Sequence, residues 1–186
     1  MAQRKIEQLG QEVFTGKRFK VISMDLPNRD ANTGTYRKEI VVHPGAAVIL
    51  PMLDAQTVVM IQNARPIDDQ PLWELPAGTL APPELPKVTA ARELIEEAGY
   101  QAGQIKLLTQ FYASPGISTE MMYCYLATDL TAVGQQLEPN EKIIVKVMPL
   151  DQAIEMIRCG QIIDAKTVAT LLYYKTFGQP LSETNR

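Results

Sequence analysis

The sequence predicts an α+β fold, with a mixed β-sheet between helices and a strand-rich extension ahead of it. Three observations support this. Short apolar and β-branched runs recur along most of the chain. Three segments have helical character, and the two kinds do not alternate as a regular βαβ series would. The 186 residues suit one domain with a sizeable core, and 46% hydrophobic with 21% charged is the balance of an ordinary globular protein. A net charge of −3 gives no electrostatic case for nucleic-acid binding. No apolar run has transmembrane length, and the N-terminus MAQRKIEQLGQEVF lacks the apolar core of a signal peptide. A cytoplasmic protein with no membrane partner is therefore expected. Cys124 and Cys159 are far apart and lack metal-ligand spacing, so both read as reduced packing residues.

Residues 1–44 form the extension. Segment 19–24 mixes apolar and polar positions as a half-buried strand does. A turn cluster at 27–34 leads to a second strand at 36–42, giving a hairpin with a long loop. His43-Pro44-Gly45 breaks it, and the main domain, 45–178, begins. Segments 46–51 and 57–62 read as a central strand pair joined by a turn at Asp54-Ala55. A short strand at 72–75 enters a turn at Pro76-Ala77-Gly78, and a helix follows over 87–98, stopped by Gly99. Strands are expected at 105–112, 121–128 and 142–149, the first two flanking a loop at 114–120. Asp151 caps a helix that ends near Arg158 and Gly160, and Asp164 caps a last helix from Ala165 to about Lys175. The tail, 179–186, is polar and expected to fray.

The densest chemistry lies between Gly78 and Tyr100. At about 100° per residue, Ala91, Leu94, Ile95 and Ala98 form one apolar stripe, and Glu93, Glu96 and Glu97 fall opposite it. Carboxylates this close repel one another unless a cation sits among them. Oxygen-only ligands select a hard ion such as Mg2+ or Mn2+. The segment reads as a divalent-metal platform on a helix anchored by its other face. Glu93 and Glu97, one turn apart, can grip one ion, while Glu96 joins a second ion or orients water. Arg92 reads as an orienting partner for Glu84 or its neighbours rather than as a substrate contact, with a purely structural Arg92–Glu84 pair as the alternative.

Gly78, Glu84, Arg92, Glu93, Leu94, Glu96, Glu97, Gly99 and Tyr100 match the Nudix hydrolase signature G-x5-E-x7-R-E-U-x-E-E-x-G-U in spacing throughout. Tyr100 replaces the usual aliphatic. The chain is therefore similar to the Nudix superfamily, and the resemblance implies its α/β/α sandwich with a mixed sheet. It also implies metal binding by Glu93, Glu96, Glu97 and the main-chain carbonyl of Ala77. Trp73 to Gly78, Ala113 to Glu120, Arg37 to Gly45 and Gly160 to Thr167 resemble the ADP-ribose pyrophosphatase branch. That likeness covers about Arg37 to Tyr174 and implies Mg2+-dependent cleavage of a nucleoside diphosphate sugar, ADP-ribose giving AMP and ribose 5-phosphate.

The same likeness implies that Arg37 and Arg65 contact the nucleotide or its phosphates, and that Glu74 faces the ligand. An Arg fork suits phosphate through its paired donors. Trp73 is a candidate to stack on a base or to pack. His43, the single histidine, reads as a turn residue. In the branch an acid on a loop after the sheet activates water. Glu141 is the candidate here, with Glu138 second, and Pro139 stands where the branch often has an acid. Glu120 is another acid expected to reach the metals. The branch also implies a homodimer that exchanges N-terminal strands, which the extension fits. Three rival readings are another nucleotide-sugar hydrolase, such as one for GDP-mannose, a nucleoside triphosphate cleaner, and a noncatalytic nucleotide-sensing Nudix domain. The extension and the Ser-Pro-Gly loop argue against the second, and the intact box acids argue against the third.

Overall fold

A computed structural model describes residues 6, 8–30 and 33–178. The described residues fall into two compact units. One runs up to Gly45 and also takes Tyr112–Met121, a segment that the sequence reading assigns to the main domain; the other comprises Ala46–Phe111 and Met122 onward.

The first unit is an antiparallel sheet in the order β1 (Gln11–Thr15), β2 (Lys20–Pro27), β3 (Thr35–Val42). β2 and β3 pair from Lys20↔Val42 to Pro27↔Thr35, the expected hairpin. Asn28 N donates to Gly34 O at 3.0 Å across its loop. Ile22, Met24, Ile40 and Val42, alternate positions of the two strands, form a small core with Ile6 and Leu26. β1 was not foreseen. All five of its residues are exposed, so no burial period marks it in the sequence. The loop 113–120 closes on itself through Ala113 N and Glu120 O at 2.9 Å. It is tied to the end of β3 through Val41 N to Ile117 O at 2.8 Å and Thr119 N to Val41 O at 3.0 Å.

In the second unit, β4 (Ala46–Pro51) lies between β7 (Ala77–Thr79) and β9 (Met121–Ala132), with β8 (Tyr100–Tyr112) beyond β9. β4 runs antiparallel to β7 and parallel to β9, so this sheet is mixed. A second sheet sets β5 (Thr57–Asn63) between β6 (Leu72–Glu74) and β10 (Ile143–Pro149), antiparallel to both. Three helices complete the unit: α1 (Pro86–Ala98), α2 (Leu150–Arg158) and α3 (Ala165–Phe177).

Side chains alternate across β4 and divide the core in two. Ala46, Val48, Leu50 and Met52 join Ala153, Met156 and Leu171 of α2 and α3. Ala47 and Ile49 join Ala90, Leu94 and Ala98 of α1. Sheet between helix layers is the expected α/β/α arrangement, and it fixes α1 by one face.

Four expectations need correction. β4 and β5 are not a ladder pair. The Asp54 turn exists, with Oδ1 accepting Gln56 N at 2.7 Å, but the strands lie in different sheets and are linked next to the turn by a Met52↔Val58 bridge and by Leu53 N donating to Thr57 O at 3.0 Å. An apolar run marks a central strand without naming its neighbours. The Pro76-Ala77-Gly78 turn contains strand β7, paired Val48↔Ala77 to Ala46↔Thr79. Asp151 does not cap α2. The cap position is Pro149, and Asp151 instead receives Lys175 Nζ at 2.6 Å. Cys159 is exposed at the end of α2, whereas Cys124 is buried as expected and accepts Thr170 Oγ1 at 3.2 Å.

Asp164 does cap α3, accepting Thr167 N at 3.0 Å. Gly99 stops α1 at φ 74°, and its N–H returns to Ile95 O. The tail 179–186 lies outside the described residues. Among the described residues no helix is long and apolar enough to cross a membrane.

Candidate active site

The site is built where α1 meets β7. A Cβ on Gly78 would lie 1.8 Å from Glu93 Oε1 and 2.4 Å from Glu93 Cγ. A glycine at 78 leaves the Glu93 carboxylate the space that a side chain would take. The backbone turn and the acid are one packed unit.

Arg92 is the hub of the acids. Its NH1 donates to Glu93 Oε1 at 2.7 Å and to Glu96 Oε2 at 2.6 Å. Nε and NH2 each reach Glu84 at 3.3 Å. Glu84 also accepts Thr89 Oγ1 at 2.8 Å, which ties the preceding loop to the first turn of α1. The hydrogen bonds from Arg92 and Thr89 hold Glu84 below the usual carboxylate range. Burial opposes the Arg92 charge, but Glu84, Glu93 and Glu96 outweigh it and raise its pKa. For Glu93 burial wins. Its pKa is raised against the pull of Arg92, and the charges of Glu96 and Glu141 add to the rise.

Glu97 departs from the helical reading. It is buried with Ala90, Leu94 and Ala98 rather than lying on the opposite face. Its carboxyl is pushed up to about 8, chiefly by burial and partly by the charges of Glu93 and Glu141, against the Ala77 N–H and the Arg65 charge. The Ala77 N–H donates to Glu97 Oε2 at 2.8 Å, so β7 holds this acid as it holds Glu93. Glu141 closes a tight turn, its Oε2 accepting Glu138 N at 2.9 Å while its own N–H donates to Glu138 O at 3.0 Å. Glu138 is exposed.

The donor set suits a hard divalent cation: clustered carboxylates, one of them buried, with no soft ligand among them. Glu93 and Glu96 already meet a cation in this structure, the Arg92 guanidinium. Among the described residues no three His, Cys, Asp or Glu side chains converge as a ready ligand set.

A second cluster stands on β6 and α3. Arg65 grips Glu74 as a fork, Nε to Oε1 at 2.8 Å and NH2 to Oε2 at 2.7 Å. Lys166 Nζ reaches Glu74 Oε2 at 2.7 Å and Asp164 Oδ2 at 2.9 Å. Glu74 is 1% exposed, and its bonds to Arg65 and Lys166 outweigh burial and keep its pKa low. Both oxygens of the Glu74 carboxylate, the residue expected to face the ligand, are engaged here by the two cations. Trp73 packs against the α2/α3 core, which is the packing alternative.

The first unit holds the remaining candidates. Arg37 is exposed on β3 and pairs across the ladder with Asp25, Nε to Oδ1 at 3.1 Å. Glu120 Oε1 lies 3.4 Å from His43 Nδ1. That nitrogen accepts Gly45 N at 3.1 Å, so it carries no proton and the contact is not an ion pair while His43 is neutral. Burial lowers the His43 pKa and favours that neutral form. Thr119 Oγ1 accepts His43 N at 3.0 Å and returns to His43 O at 3.2 Å. Lys166 and Thr89 were missed by sequence reasoning. Thr89, five residues after Glu84, offered no pattern, and Lys166 was hidden beside the Asp164 cap.

Residues 42–171 match the family model described as NUDIX domain. The chain belongs to the NUDIX family. It is 35% identical over 167 residues to an ADP-ribose pyrophosphatase of Bacillus subtilis, covering 88% of each chain. It is 34% identical over 169 residues to a methanol dehydrogenase activator of Bacillus methanolicus, again covering 88% of each. A GDP-mannose pyrophosphatase of Salmonella typhimurium is 32% identical over 179 residues, covering 90% of this chain and 91% of the relative. The solved structure of an ADP compounds hydrolase superposes with a TM-score of 0.75 at 20% identity over 90% of each chain, which supports the fold. With the box acids intact, the chain is a Nudix hydrolase.

Proposed function

We propose that this Nudix hydrolase cleaves the pyrophosphate bond of a nucleoside diphosphate sugar with Mg2+, and that ADP-ribose is its substrate. The observation that carries this is the α1 cluster, where Glu93 and Glu97 are each held against β7, one by the space at Gly78 and one by the Ala77 N–H. The similarity to the Bacillus subtilis enzyme supports the choice of substrate.

Glu93, Glu96, Glu97 and the Ala77 carbonyl would hold Mg2+, with Mn2+ as its substitute. Bound there, the ion supplies charge neutralisation and Lewis acidity at the diphosphate. The other roles fall to the chain. Arg92 keeps the acids of α1 in place. Arg65 receives a phosphate, since its charge acts on Glu97 and so lies beside the box. Glu141, whose charge acts on both Glu93 and Glu97, takes a proton from the attacking water. Glu96 orients that water. Water adds at one phosphorus, the bridging P–O bond breaks, and AMP and ribose 5-phosphate leave. Arg37 is proposed to contact the nucleotide or its phosphates, and Glu120 to reach the metals.

GDP-mannose is the second reading, favoured by the Salmonella relative. A noncatalytic sensor is disfavoured because Glu93, Glu96 and Glu97 are all present. We further propose a cytoplasmic homodimer joined through the extension, whose β1 exposes every side chain and fits exchange with a second copy. A purified-protein screen tests the substrate. ADP-ribose, GDP-mannose, UDP-glucose, NADH and nucleoside triphosphates are incubated with Mg2+ or with EDTA, and products are separated. AMP from ADP-ribose, abolished by EDTA, is the expected result. Metal-dependent cleavage of another nucleotide sugar moves the specificity, and cleavage of none overturns the reading.

A further inference from the structure

Glu74 is the most deeply buried charge among the described residues, and it is held from two sides. Arg65 takes both oxygens as a fork from the end of β5, at 2.8 and 2.7 Å. Lys166 takes Oε2 at 2.7 Å from the first turn of α3. Lys166 is itself enclosed, with 11% of its side chain exposed, and Asp164 fixes it at 2.9 Å. Asp164 in turn caps α3 through Thr167 N at 3.0 Å, and Thr167 Oγ1 accepts Leu75 N at 2.8 Å. The α3 N-terminus is thus pinned to the residues on either side of the β6 end. The four charges cancel in pairs. Arg65, at 37%, is the most exposed member of the cluster. Its Nε and NH2 are committed to Glu74, and its charge acts on Glu97.

A buried carboxylate with one cation follows that cation, whereas one clamped by two is fixed in place. A fork that grips a fixed carboxylate is fixed too, and can present its free edge to phosphate without losing side-chain entropy on binding. We propose that Lys166 is a positioning residue: by anchoring Glu74 from α3, it sets the Arg65 guanidinium as the receptor for the substrate's diphosphate. This rests on the nucleotide-sugar reading given above, and it assigns a task to a lysine that never touches the substrate.

The test is a double-mutant cycle on the full chain, with Lys166→Met, Arg65→Ala and the pair, read as KM and kcat for the sugar nucleotide that the wild type cleaves. ADP-ribose binding in EDTA gives a second readout, and melting curves check the fold. Lys166→Met is expected to raise KM about tenfold, the size of one lost charge-assisted hydrogen bond, with little change in kcat. Lys166→Arg should recover most of the loss. On the Arg65→Ala background Lys166→Met should add almost nothing to KM or to the binding constant. Independent, additive effects, or a folded Lys166→Met protein with wild-type KM, overturn the proposal. If Lys166→Met does not fold, Lys166→Gln, which keeps a donor at shorter reach, takes its place in the cycle. A wild type that cleaves no nucleotide sugar overturns the functional reading and this proposal together. An active wild type with an additive cycle overturns this proposal alone.

Discussion

Replacing Gly78 by alanine separates the site from the fold. The new Cβ would stand 1.8 Å from Glu93 Oε1, 1.9 Å from its Cδ and 2.4 Å from its Cγ. Non-bonded carbons settle at roughly 3.5 Å, so the carboxylate must retreat by more than about 1 Å. The obstacle is a flexible side chain, not backbone, and Glu93 can swing away. The stability cost is then that of moderate overpacking, about 1–3 kcal/mol, or several degrees of melting temperature for a chain of this size. The effect on turnover is far larger. Glu93 leaves its bond to Arg92 NH1 at 2.7 Å, and a displacement of about 1 Å in a reacting constellation costs on the order of a hundredfold. The assay is kcat for AMP release at saturating Mg2+ and substrate, beside a thermal melt. A folded Gly78→Ala protein with kcat within a few-fold of wild type refutes the reasoning, because Glu93 would then work equally well from another position.

Glu97→Gln should keep the fold and lose turnover by orders of magnitude. A Gln carbonyl can still accept the Ala77 N–H, while the charge that would bind a cation is gone. Near-normal turnover in the folded variant would sink the metal-site assignment. The His43 pKa is lowered, chiefly by burial, so the unfolded chain takes up a proton before the folded one does. Its contribution to stability is complete above the unfolded value of about 6.5 and is lost as pH falls through the lower folded value, with a slope of at most about 1.4 kcal/mol per pH unit. Melting temperatures from pH 7.5 to 5 should therefore fall more steeply for wild type than for His43→Asn. Parallel curves would contradict this.

The fold was legible where burial left a period and illegible where it did not. β2 and β3 carry alternate core residues, and their hairpin is found in the expected place. β1 has no buried residue to set a period. β4 and β5 are apolar on both faces, which identifies them as central and leaves their partners open. The antiparallel neighbour of β4 is instead β7, three residues long and hidden in what reads as a turn. Helix ends were legible through Gly99 and Asp164, whose backbone roles are local. Asp151 failed as a cap because α2 begins straight from a strand through Pro149 and Leu150, and that start is fixed by packing.

At the site, spacing identified the acids but could not say how they differ. The buried face, Thr89, Ala90, Leu94, Glu97 and Ala98, is turned from the expected stripe by most of one residue's roughly 100° step. That turn carries Glu97 into the core and leaves Glu96 a third exposed. Three glutamates in one motif therefore hold three environments: one part-buried beside Arg92, one packed in the space at Gly78, one buried under the Ala77 N–H. Arg92 explains how they coexist. Its guanidinium spans Glu84, Glu93 and Glu96, so the repulsion that the sequence suggests must be relieved by a cation is relieved in part by the chain itself. A divalent ion entering the cluster must compete with that guanidinium for Glu93 and Glu96, while Glu84 can retain Arg92 from the far side.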